Sequence, residues 1–525
     1  MSYFLNNVSN SNQFIKTTKE DYFVDKSELI SKLNKLVGSA RQFICITRPR
    51  RFGKSINAAM LASYYTNNLD TKHIFDKLNV HECDSYEEHL NKHNVIYLSF
   101  NSGEDTFESY KEYKNHFVSR LVFDIKEYCP DVNPNDLLSE MFDTAYKKTG
   151  KGFIFIIDEW DYIYNMNFSE DENKNFLQFL NDIFKDKPYV ELAYMTGVLP
   201  IAKYSSKSTL NTFREFSALK DPQFEDYFGF THPEVEKLCA KQTKISLEDL
   251  EEWYNGYYTS SGTRIYNPRS VVCALEDGEC MSYWTNTGNM DGIVECIKND
   301  IDDVKADILE MLEGKSLYTD LPTFSTEKIK LDTREQIFSA MVVLGFLSYH
   351  DDMLSIPNKE LKIKFIETLK SEIFGEFAHV VRNSDALLRA TINKDTDKMS
   401  KLLKDAHSLF SSTQTYNKES TLASVIQIAY LTALKKYTVH REFKAGEGYA
   451  DFVFIPNKKN DTAFILELKV NSTPDDALKQ IKNKNYMQAL RNCVGPKLAI
   501  GISYNKDNTS EDDNRRHYVK IEEIQ

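Results

Sequence analysis

The alternation of apolar and polar positions divides the first part of the chain into candidate strands and helices. Between about residues 21 and 225, short apolar runs are separated by amphipathic stretches. Residues 1–20 are predicted to be a weakly ordered lead-in. Strands that alternate with helices are typical of a mainly parallel sheet. The pattern therefore predicts an α/β domain over 21–225 with strands at Phe43–Thr47, Val95–Phe100, Phe153–Asp158 and Val190–Thr196.

The pattern changes twice beyond that point. Residues 226–410 become charged and helical, with apolar residues at helical spacing near 297–314 and 360–407, which predicts a helical lid or linker region. Residues 411–525 return to strands and helices and predict a small separate α/β unit. Its candidate strands are Asp451–Ile455, Ala463–Val470 and Lys497–Ser503.

Composition narrows the class of protein. The 525 residues carry a net charge of −13, which argues against a nucleic-acid binder that uses its whole surface but leaves room for a local basic groove. The eight cysteines are scattered without metal-ligand spacing, so we expect reduced thiols. The polar start lacks the pattern of a signal peptide, and no apolar run has the length of a membrane span. We therefore expect a cytoplasmic protein that does not enter a membrane.

Residues 43–55 contain a variant phosphate-binding loop. An apolar strand runs into the loop, and Gly53, Lys54 and Ser55 then precede a helical stretch, as in the pattern G-x-x-x-x-G-K-[ST]. Backbone N–H groups at a helix start bind phosphate oxygens, while the lysine reaches the β- and γ-phosphates and the serine hydroxyl binds Mg²⁺. Arg48 replaces the first glycine and tolerates positive φ poorly, so the loop must differ in shape from the usual one. The other reading is a basic turn before a helix.

An acidic strand end supplies the second half of a nucleotide site. The apolar run before Asp158 and Glu159 predicts a buried strand whose carboxylates emerge at its carboxyl end, where ligands bind in open α/β sheets. Asp158 is the candidate magnesium ligand and Glu159 the residue that orients or deprotonates water. Asp161 is a further acidic candidate. Thr196, at the end of a neighbouring strand, either contacts the γ-phosphate or only ends its strand.

Together these two motifs predict ATP and Mg²⁺ as cofactors. The candidate nucleotide-binding residues are Arg50, Arg51, Phe52, Gly53, Lys54, Ser55, Asp158 and Thr196. Among them, Ser55 and Asp158 are the candidate metal ligands.

A second constellation lies near the C-terminus. Asp451 stands on the first strand of a predicted hairpin, with Glu467 and Lys469 on the second, and side chains two apart on a strand share a face. Two carboxylates and a lysine suit metal-assisted phosphodiester hydrolysis, with Asp451 and Glu467 as metal ligands and all three as catalytic candidates. Glu419 and Glu442 compete as an additional ligand. The alternative is a surface hairpin with an ordinary Glu/Lys face.

The helix after this hairpin begins with a clear start signal at Ser472–Asp476. Its polar side chains could contact a nucleic-acid backbone. These candidates are Gln480, Lys482, Lys484 and Tyr486.

The motifs together resemble a family that joins an N-terminal AAA-ATPase-like domain to a C-terminal PD-(D/E)xK nuclease-superfamily domain. Family members are similar at Arg48–Ser55, including the absent first glycine. Other matching stretches are Tyr22–Lys26, Ile157–Asp161, Thr196–Leu199, Tyr227–Thr231, Trp253–Tyr257, Tyr266–Ser270 and Tyr283–Trp284. The resemblance implies a P-loop NTPase-type parallel sheet over 21–225, a helical middle region over 226–410 and a restriction-endonuclease-like domain over 411–525.

One position departs from the family pattern. Members often have Gly-Arg-Ala-Asp before the first acidic residue of the nuclease-type triad, whereas this chain has Gly448-Tyr449-Ala450-Asp451. A cation near the candidate substrate site is therefore lost.

The leading hypothesis is an ATPase that couples nucleotide state to a Mg²⁺-dependent nuclease-like domain acting on DNA or RNA. The alternative is a slow nucleotide-dependent regulatory switch whose C-terminal domain is a binding module without cleavage activity. A homo-oligomer is compatible with both. The nucleic-acid substrate, the oligomeric state, the source of any arginine finger and the biological pathway do not follow from the sequence.

Overall fold

The computed structural model divides the chain into two compact units. The described residues are 2–101, 107–166, 168–201, 210–218, 221, 223–284, 304–312, 314–321, 333–370, 375–408, 419–504 and 517–524. The first unit contains the described residues up to Trp284, Val304 and the described part of 316–358. The second contains the described part of 305–315 and the described residues from Lys359 onward.

The helices are numbered in chain order. In the first half of the chain they are α1 Val8–Thr17, α2 Glu28–Asn34, α3 Lys54–Tyr65, α4 Lys72–Phe75, α5 Tyr86–His89, α6 Tyr110–Tyr128, α7 Leu138–Thr149, α8 Glu170–Phe184, α9 His232–Cys239, α10 Leu247–Tyr254 and α11 Pro268–Asp277. In the second half they are α12 Val304–Leu312, α13 Arg334–Leu344, α14 Lys359–Leu369, α15 Gly375–Ile392, α16 Thr396–Ser408, α17 Glu419–Ala429 and α18 Pro474–Asn483.

The strands are numbered in the same way. Those of the first unit are β1 Phe43–Thr47, β2 Asn94–Ser99, β3 Phe153–Asp158, β4 Val190–Gly197, β5 Arg214–Phe216, β6 Phe230–Thr231, β7 Tyr257–Tyr258, β8 Arg264–Tyr266, β9 Leu317–Tyr318, β10 Ser348–His350 and β11 Met353–Ser355. Those of the second unit are β12 Tyr437–Ala445, β13 Gly448–Pro456, β14 Ala463–Val470, β15 Lys497–Tyr504 and β16 His517–Ile524.

A five-stranded parallel sheet forms the centre of the first unit, in the order β2-β3-β4-β1-β5. Along β3, Phe155 and Ile157 pack with residues of α6, α7 and α8, whereas Ile154 and Ile156 pack with residues of α2 and α3. Both faces of the sheet are thus covered, which explains the continuous apolar run of this strand. The predicted P-loop NTPase-type α/β class is confirmed, and β1 and β3 have the predicted bounds.

The strand register brings the two predicted nucleotide motifs to one edge of the sheet. Thr47, the last residue of β1, is paired with Gly197 at the end of β4, and Asp158 is paired with Ser99 at the end of β2. The loop that follows Thr47 and the acidic turn that follows Asp158 therefore leave the same carboxyl edge, where open α/β sheets bind their ligands.

The N-terminal segment is ordered, unlike the predicted lead-in. The backbone N–H groups of Tyr3, Phe4 and Leu5 donate to the buried carboxylate of Asp124, and Leu5 forms a bridge to the edge strand β2. In α1, Phe14 is buried in the core. The polar composition of the segment does not indicate this order, because only a few apolar residues attach it to the rest of the first unit.

The middle region contains short strands as well as helices. Two three-stranded sheets form here, in the orders β6-β8-β7 and β10-β11-β9, although no strand alternation was visible in the sequence. These strands are only two or three residues long, too short to produce a periodic pattern. The predicted helical segment 360–407 forms α14, α15 and α16 outside residues 371–374, and α12 covers the described part of 297–314.

The second unit is built on a mixed sheet in the order β12-β13-β14-β15-β16, in which only β14 and β15 are parallel among the four pairs. Phe464, Leu466 and Leu468 of β14 pack in a core with residues of α15, α16 and α17. Ile465 packs on the other side with residues of α18. The small C-terminal α/β unit is therefore observed, with β12 and β16 added to the predicted strands.

The compact units are divided near residue 358, within the predicted middle region. The boundaries at residues 20/21, 225/226 and 410/411 stay predictions of domain extent.

No helix in the described part of the chain combines the length and the apolar character needed to cross a membrane.

Candidate functional site

The loop between β1 and α3 has its unusual backbone at two residues. Arg51 has φ 71° and Gly53 has φ 87°, both in the left-handed region, whereas Arg48 is not in it. A Cβ at Gly53 would meet no atom within 4 Å, so the backbone conformation and not packing favours glycine there. The expected strain at Arg48 is thus avoided because the turn falls later in the loop.

Arg48 anchors the loop from inside the protein. Its guanidinium is buried, forms an ion pair with Asp221, and donates to the carbonyls of Thr47 at 2.8 Å and Phe216 at 3.1 Å. It also lies 5.1 Å from the ring centre of Phe228. The residue that replaces the first glycine therefore fixes the loop to β5 and to the segment after it. Sequence reasoning missed Asp221 because no motif marks it.

Lys54 is the first residue of α3, and its side chain turns back into the loop. The buried amine donates to the carbonyls of Arg48 at 3.0 Å and Pro49 at 2.8 Å. Burial lowers the pKa of Lys54 to about 8, and the charges of Asp161, Asp158 and Glu159 oppose that shift. The amine therefore stays mostly protonated at neutral pH.

The acidic turn after β3 lies beside this amine. Burial raises the pKa of the Asp158 carboxyl, and the neighbouring Ser55 side chain opposes that shift. The Tyr97 hydroxyl is 3.4 Å from its Oδ2. Glu159 follows in the left-handed region with φ 51° and is half-buried. The structure thus brings Lys54, Ser55, Asp158 and Glu159 close together.

Asp161 has a structural partner of its own. Its Oδ2 accepts the backbone N–H groups of Val198 at 3.0 Å and Leu199 at 2.7 Å, just after β4. Burial raises the pKa of this carboxyl, and the nearby Lys54 opposes the shift. Asp161 therefore ties the acidic turn to the end of β4 while contributing negative charge near the amine.

Thr196 does not join this group. Its side chain is fully buried, and its hydroxyl donates to the carbonyl of Ile46 at 2.9 Å, between β4 and β1. It does not line the cavity described below. The predicted nucleotide contact of Thr196 has no geometric basis here, because its buried hydroxyl is already bonded to the Ile46 carbonyl.

A cavity of about 950 Å³ opens over the loop within the first unit. Arg50, Arg51, Phe52, Gly53, Lys54 and Ser55 line it, together with Glu159 and Asp161. Residues of the N-terminal segment form another part of the wall, including Phe14, Tyr22 and Phe23. A large concave site with aromatic walls and convergent charges is the form that a nucleotide pocket takes.

Three arginines line this cavity without a side-chain hydrogen bond or ion pair to the described residues: Arg50, Arg51 and Arg269. Arg269 belongs to α11, in the middle region, and sequence reasoning missed it. It lies in Tyr266–Ser270, one of the stretches that resemble the family, but nothing in the sequence indicates that it lines the same cavity as the loop.

Aromatic residues of the middle region hold the outer side of the loop. The Trp284 indole N–H donates to the Arg50 carbonyl at 3.0 Å, and the rings of Phe52 and Tyr257 meet edge to face at 5.0 Å. Phe52 is buried by these contacts. Tyr257, in the resembling stretch Trp253–Tyr257, therefore packs against the loop.

The second candidate site lies on β13 and β14 of the second unit. Asp451 Oδ2 accepts the backbone N–H of Leu468 at 2.7 Å, and the Lys469 amine is 3.4 Å from Glu467 Oε1. The Asp451 N–H is 3.5 Å from Glu467 Oε2. Glu467 is only 2% exposed; burial, followed by the charge of Asp451, raises the pKa of its carboxyl to about 7. The predicted triad is assembled.

The neighbouring candidates differ in position. Glu442 interrupts the β12–β13 ladder with φ 48°, stands opposite Asp451, and has a side chain 77% exposed. The side chain of Glu419, at the start of α17, lies outside the described residues. Lys482 is ion-paired with Glu522, so it is less available to a ligand.

Both sites have the donor chemistry for Mg²⁺, which prefers one or two carboxylates completed by water and phosphate oxygens. Asp158 with the Ser55 hydroxyl fits that description, and so does Asp451 with Glu467. Among the described residues, no group of three or more His, Cys, Asp or Glu side chains forms a full protein cage for a metal.

The fold and both sites define a chain with an AAA-ATPase-like domain followed by a PD-(D/E)XK domain. Residues 10–206 match the family described as Predicted AAA-ATPase, and residues 417–513 match the PD-(D/E)XK nuclease superfamily. The predicted resemblance is confirmed.

Matches to individual proteins are more distant. The "Uncharacterized protein in vnfD 5'region" of Azotobacter chroococcum mcd 1 is 24% identical over 521 residues, 94% of this chain and 95% of that protein. The Walker-type ATPase PABY2304 of Pyrococcus abyssi is 13% identical at a TM-score of 0.36, over 64% of this chain and 95% of that one. The Aeropyrum pernix ORC2 protein, solved as ADPNP–ADP complexes, is 10% identical at a TM-score of 0.36, over 69% and 98%.

The Arg48–Asp221 pair yields a first prediction. Asp221→Leu leaves a buried guanidinium without its counter-charge and should lower the free energy of unfolding of the first unit by about 3–5 kcal/mol. The double variant Arg48→Met/Asp221→Leu should recover most of that loss. Urea unfolding followed by tryptophan fluorescence reports on this unit, because Trp160, Trp253 and Trp284 all lie in it.

Asp226→Asn, at an exposed carboxylate nearby, is the control and should unfold like the wild type. Equal stability of Asp221→Leu and the wild type would contradict the anchoring role of Arg48.

The Glu467 carboxyl yields a second prediction. Its folded pKa of about 7 exceeds its ordinary value of 4.5, so the folded state binds the extra proton and its stability must fall as pH rises from about 4.5 to about 7. In chelator, the full-length wild type should lose about 3 kcal/mol relative to Glu467→Gln between pH 4.5 and 8. Scanning calorimetry at several pH values measures this difference.

Asp451→Asn should reduce the effect, since the Asp451 charge contributes to the raised pKa. A pH dependence in Glu467→Gln identical to that of the wild type would show that other groups cause it.

Proposed function

We propose that this protein binds and hydrolyses ATP with Mg²⁺, and that its nucleotide state is coupled to a Mg²⁺-dependent nuclease-like domain acting on DNA or RNA. The observation that carries the first half is the position of the Lys54 amine beside the carboxylates of Asp158, Glu159 and Asp161. Lys54, Glu159 and Asp161 also line one cavity. If residues 48–55 formed only a basic turn before a helix, Lys54 would not need to lie beside these carboxylates.

Each group at the cavity has a defined task in this proposal. Lys54 and the backbone N–H groups at the start of α3 bind the terminal phosphates. Ser55 and Asp158 hold Mg²⁺, whose charge offsets that of the phosphates. Glu159 orients the attacking water and accepts its proton.

Arg50, Arg51 and Arg269 supply additional positive charge from the same chain. These residues line the cavity, and their side chains have no hydrogen bond or ion pair with the described residues, so no ion pair has to be broken before they contact phosphate. Phosphoryl transfer depends on such charge stabilisation.

The nuclease-like half rests on the triad of β13 and β14. Asp451 and Glu467 would hold the metal, which supplies a polarised phosphate and a more acidic water. Lys469 would position that water and stabilise developing negative charge. Because the pKa of Glu467 is raised to about 7, metal binding must displace a proton at acidic pH.

Hydrogen bonds within the first unit support the proposed coupling. The loop that carries Arg50 is held by Trp284, and the Tyr257 hydroxyl donates to the Gly345 carbonyl at 3.1 Å. Asn358 donates to the Asn255 carbonyl at 2.9 Å and is followed directly by Lys359, where the second unit resumes. A change in the loop can therefore be transmitted along packed groups to the segment that leads into the nuclease-like domain.

The ATP half is tested by calorimetry with ATP and Mg²⁺ on the full-length protein. Lys54→Ala should weaken ATP binding at least tenfold, because it removes the cation that reaches the terminal phosphates. Asp158→Asn should bind ATP but lose the gain in affinity from Mg²⁺. Lys77→Ala, at an exposed lysine, is the matched control.

Unchanged ATP binding in Lys54→Ala would refute the assignment of the cavity. Turnover that is slow and unaffected by DNA or RNA would favour the regulatory switch over the coupled nuclease.

The nuclease half is tested with labelled single- and double-stranded DNA and RNA in Mg²⁺ or Mn²⁺. Cleavage by the wild type should fall at least a hundredfold in Glu467→Gln and in Lys469→Ala, since removing a catalytic group of this kind typically costs about 10²–10⁴ in rate. Lys458→Ala, at an exposed lysine on the β13–β14 turn, should cleave normally. Cleavage that survives both active-site changes would point to a contaminating nuclease and contradict the assignment.

A further inference from the structure

An exposed tyrosine stands beside the acid–lysine site. Tyr449 is 62% exposed, whereas Tyr430, Tyr437, Tyr486 and Tyr504 of the same unit are buried. It lies on β13 two residues before Asp451, which is about 7 Å along a strand. Single exposed aromatics are common on protein surfaces, so its position next to the triad is the relevant feature.

Lys444 supplies a cation at the same place. It is paired with Tyr449 across the β12–β13 hairpin, and its amine has no acidic partner among the described residues. Lys479 and Lys482, in contrast, are both ion-paired with carboxylates.

The end of the hairpin is held rigidly. The Glu447 N–H donates to the Lys484 carbonyl at 2.9 Å, and a Cβ at Gly446 would come within 2.1 Å of that same oxygen. A Cβ at Gly448 would meet the Tyr486 hydroxyl at 2.8 Å. This close packing brings Lys484, a second lysine without an acidic partner in the described chain, next to the turn.

We propose that Tyr449, Lys444 and Lys484 form a platform for single-stranded nucleic acid. The Tyr449 ring stacks on an unpaired base, and the two lysines bind the flanking phosphates. This inference rests on the proposed function, because it names the substrate class of the nuclease-like site.

The geometry favours an unpaired strand over a duplex. A ring that projects from a strand can stack on a base only if the face of that base is free, and in a duplex both faces are covered by neighbouring base pairs. Two lysines without acidic partners, one on the hairpin and one beside its turn, suit a short stretch of nucleic-acid backbone. The net charge of −13 opposes a broad interface with a duplex. The triad, about 7 Å along β13, is then within reach of the phosphodiester next to the stacked nucleotide.

The test measures binding separately from cleavage. Full-length Glu467→Gln, with Mg²⁺ replaced by Ca²⁺, is titrated by fluorescence anisotropy against a labelled 12-nucleotide DNA, its RNA counterpart and the matching duplexes. At least one single strand should bind tenfold more tightly than its duplex. Adding Tyr449→Ala should weaken that binding about 5- to 100-fold, as expected for the loss of one stacked base, while Tyr449→Trp should retain it.

Variants of the two lysines test their contacts with phosphate. Lys444→Gln and Lys484→Gln should each weaken binding and reduce its salt dependence by about one released ion. Tyr318→Ala, at a tyrosine 73% exposed in the first unit, should leave binding unchanged. The DNA and RNA arms show which polymer the platform accepts.

Two outcomes separate this inference from the proposed function. Duplex binding as tight as single-strand binding, or normal binding in Tyr449→Ala, overturns the platform even if cleavage is observed. Tyr449-dependent binding of a single strand in a protein that cleaves nothing supports the platform and refutes the nuclease half of the proposed function.

Discussion

A buried ammonium group needs negative charge around it, and the arrangement at Lys54 depends on that requirement. Burial lowers the pKa of the amine to about 8, and the carboxylates of Asp161, Asp158 and Glu159 keep it mostly charged at neutral pH. Asp158 is the last residue of β3 and the other two acids follow it, whereas the lysine follows β1, with β4 between the two strands. Because parallel strands present their carboxyl ends at one edge, the sheet order determines that these charges meet.

The absence of the first glycine changes how the loop is held. In this chain Arg48 reaches inward to Asp221 and to the carbonyls of Thr47 and Phe216, so a side chain fixes the base of the loop. Trp284 fixes its outer side through the Arg50 carbonyl. Residues far apart in sequence therefore stabilise one loop.

The site on β13 and β14 has an excess of negative charge. Glu467 is buried beside Asp451, and one lysine offsets two carboxylates, so the pKa of Glu467 is raised to about 7. A divalent cation would relieve this excess of negative charge, which is the physical case for a metal there. The exposed hairpin of Tyr449 and Lys444 lies next to this buried group.

The sequence by itself determined the elements whose signals are local. The long apolar strands, the Gly53–Ser55 turn into α3, the acidic end of β3 and the Asp451–Glu467–Lys469 spacing all follow from periodicity and motif, and the structure assembles them. Only the tertiary structure decided the Arg48–Asp221 pair, the cavity position of Arg269 and the burial of Thr196 against Ile46. These depend on which distant groups pack together and on which way a pleated strand turns each side chain, and neither leaves a mark at a fixed spacing along the chain.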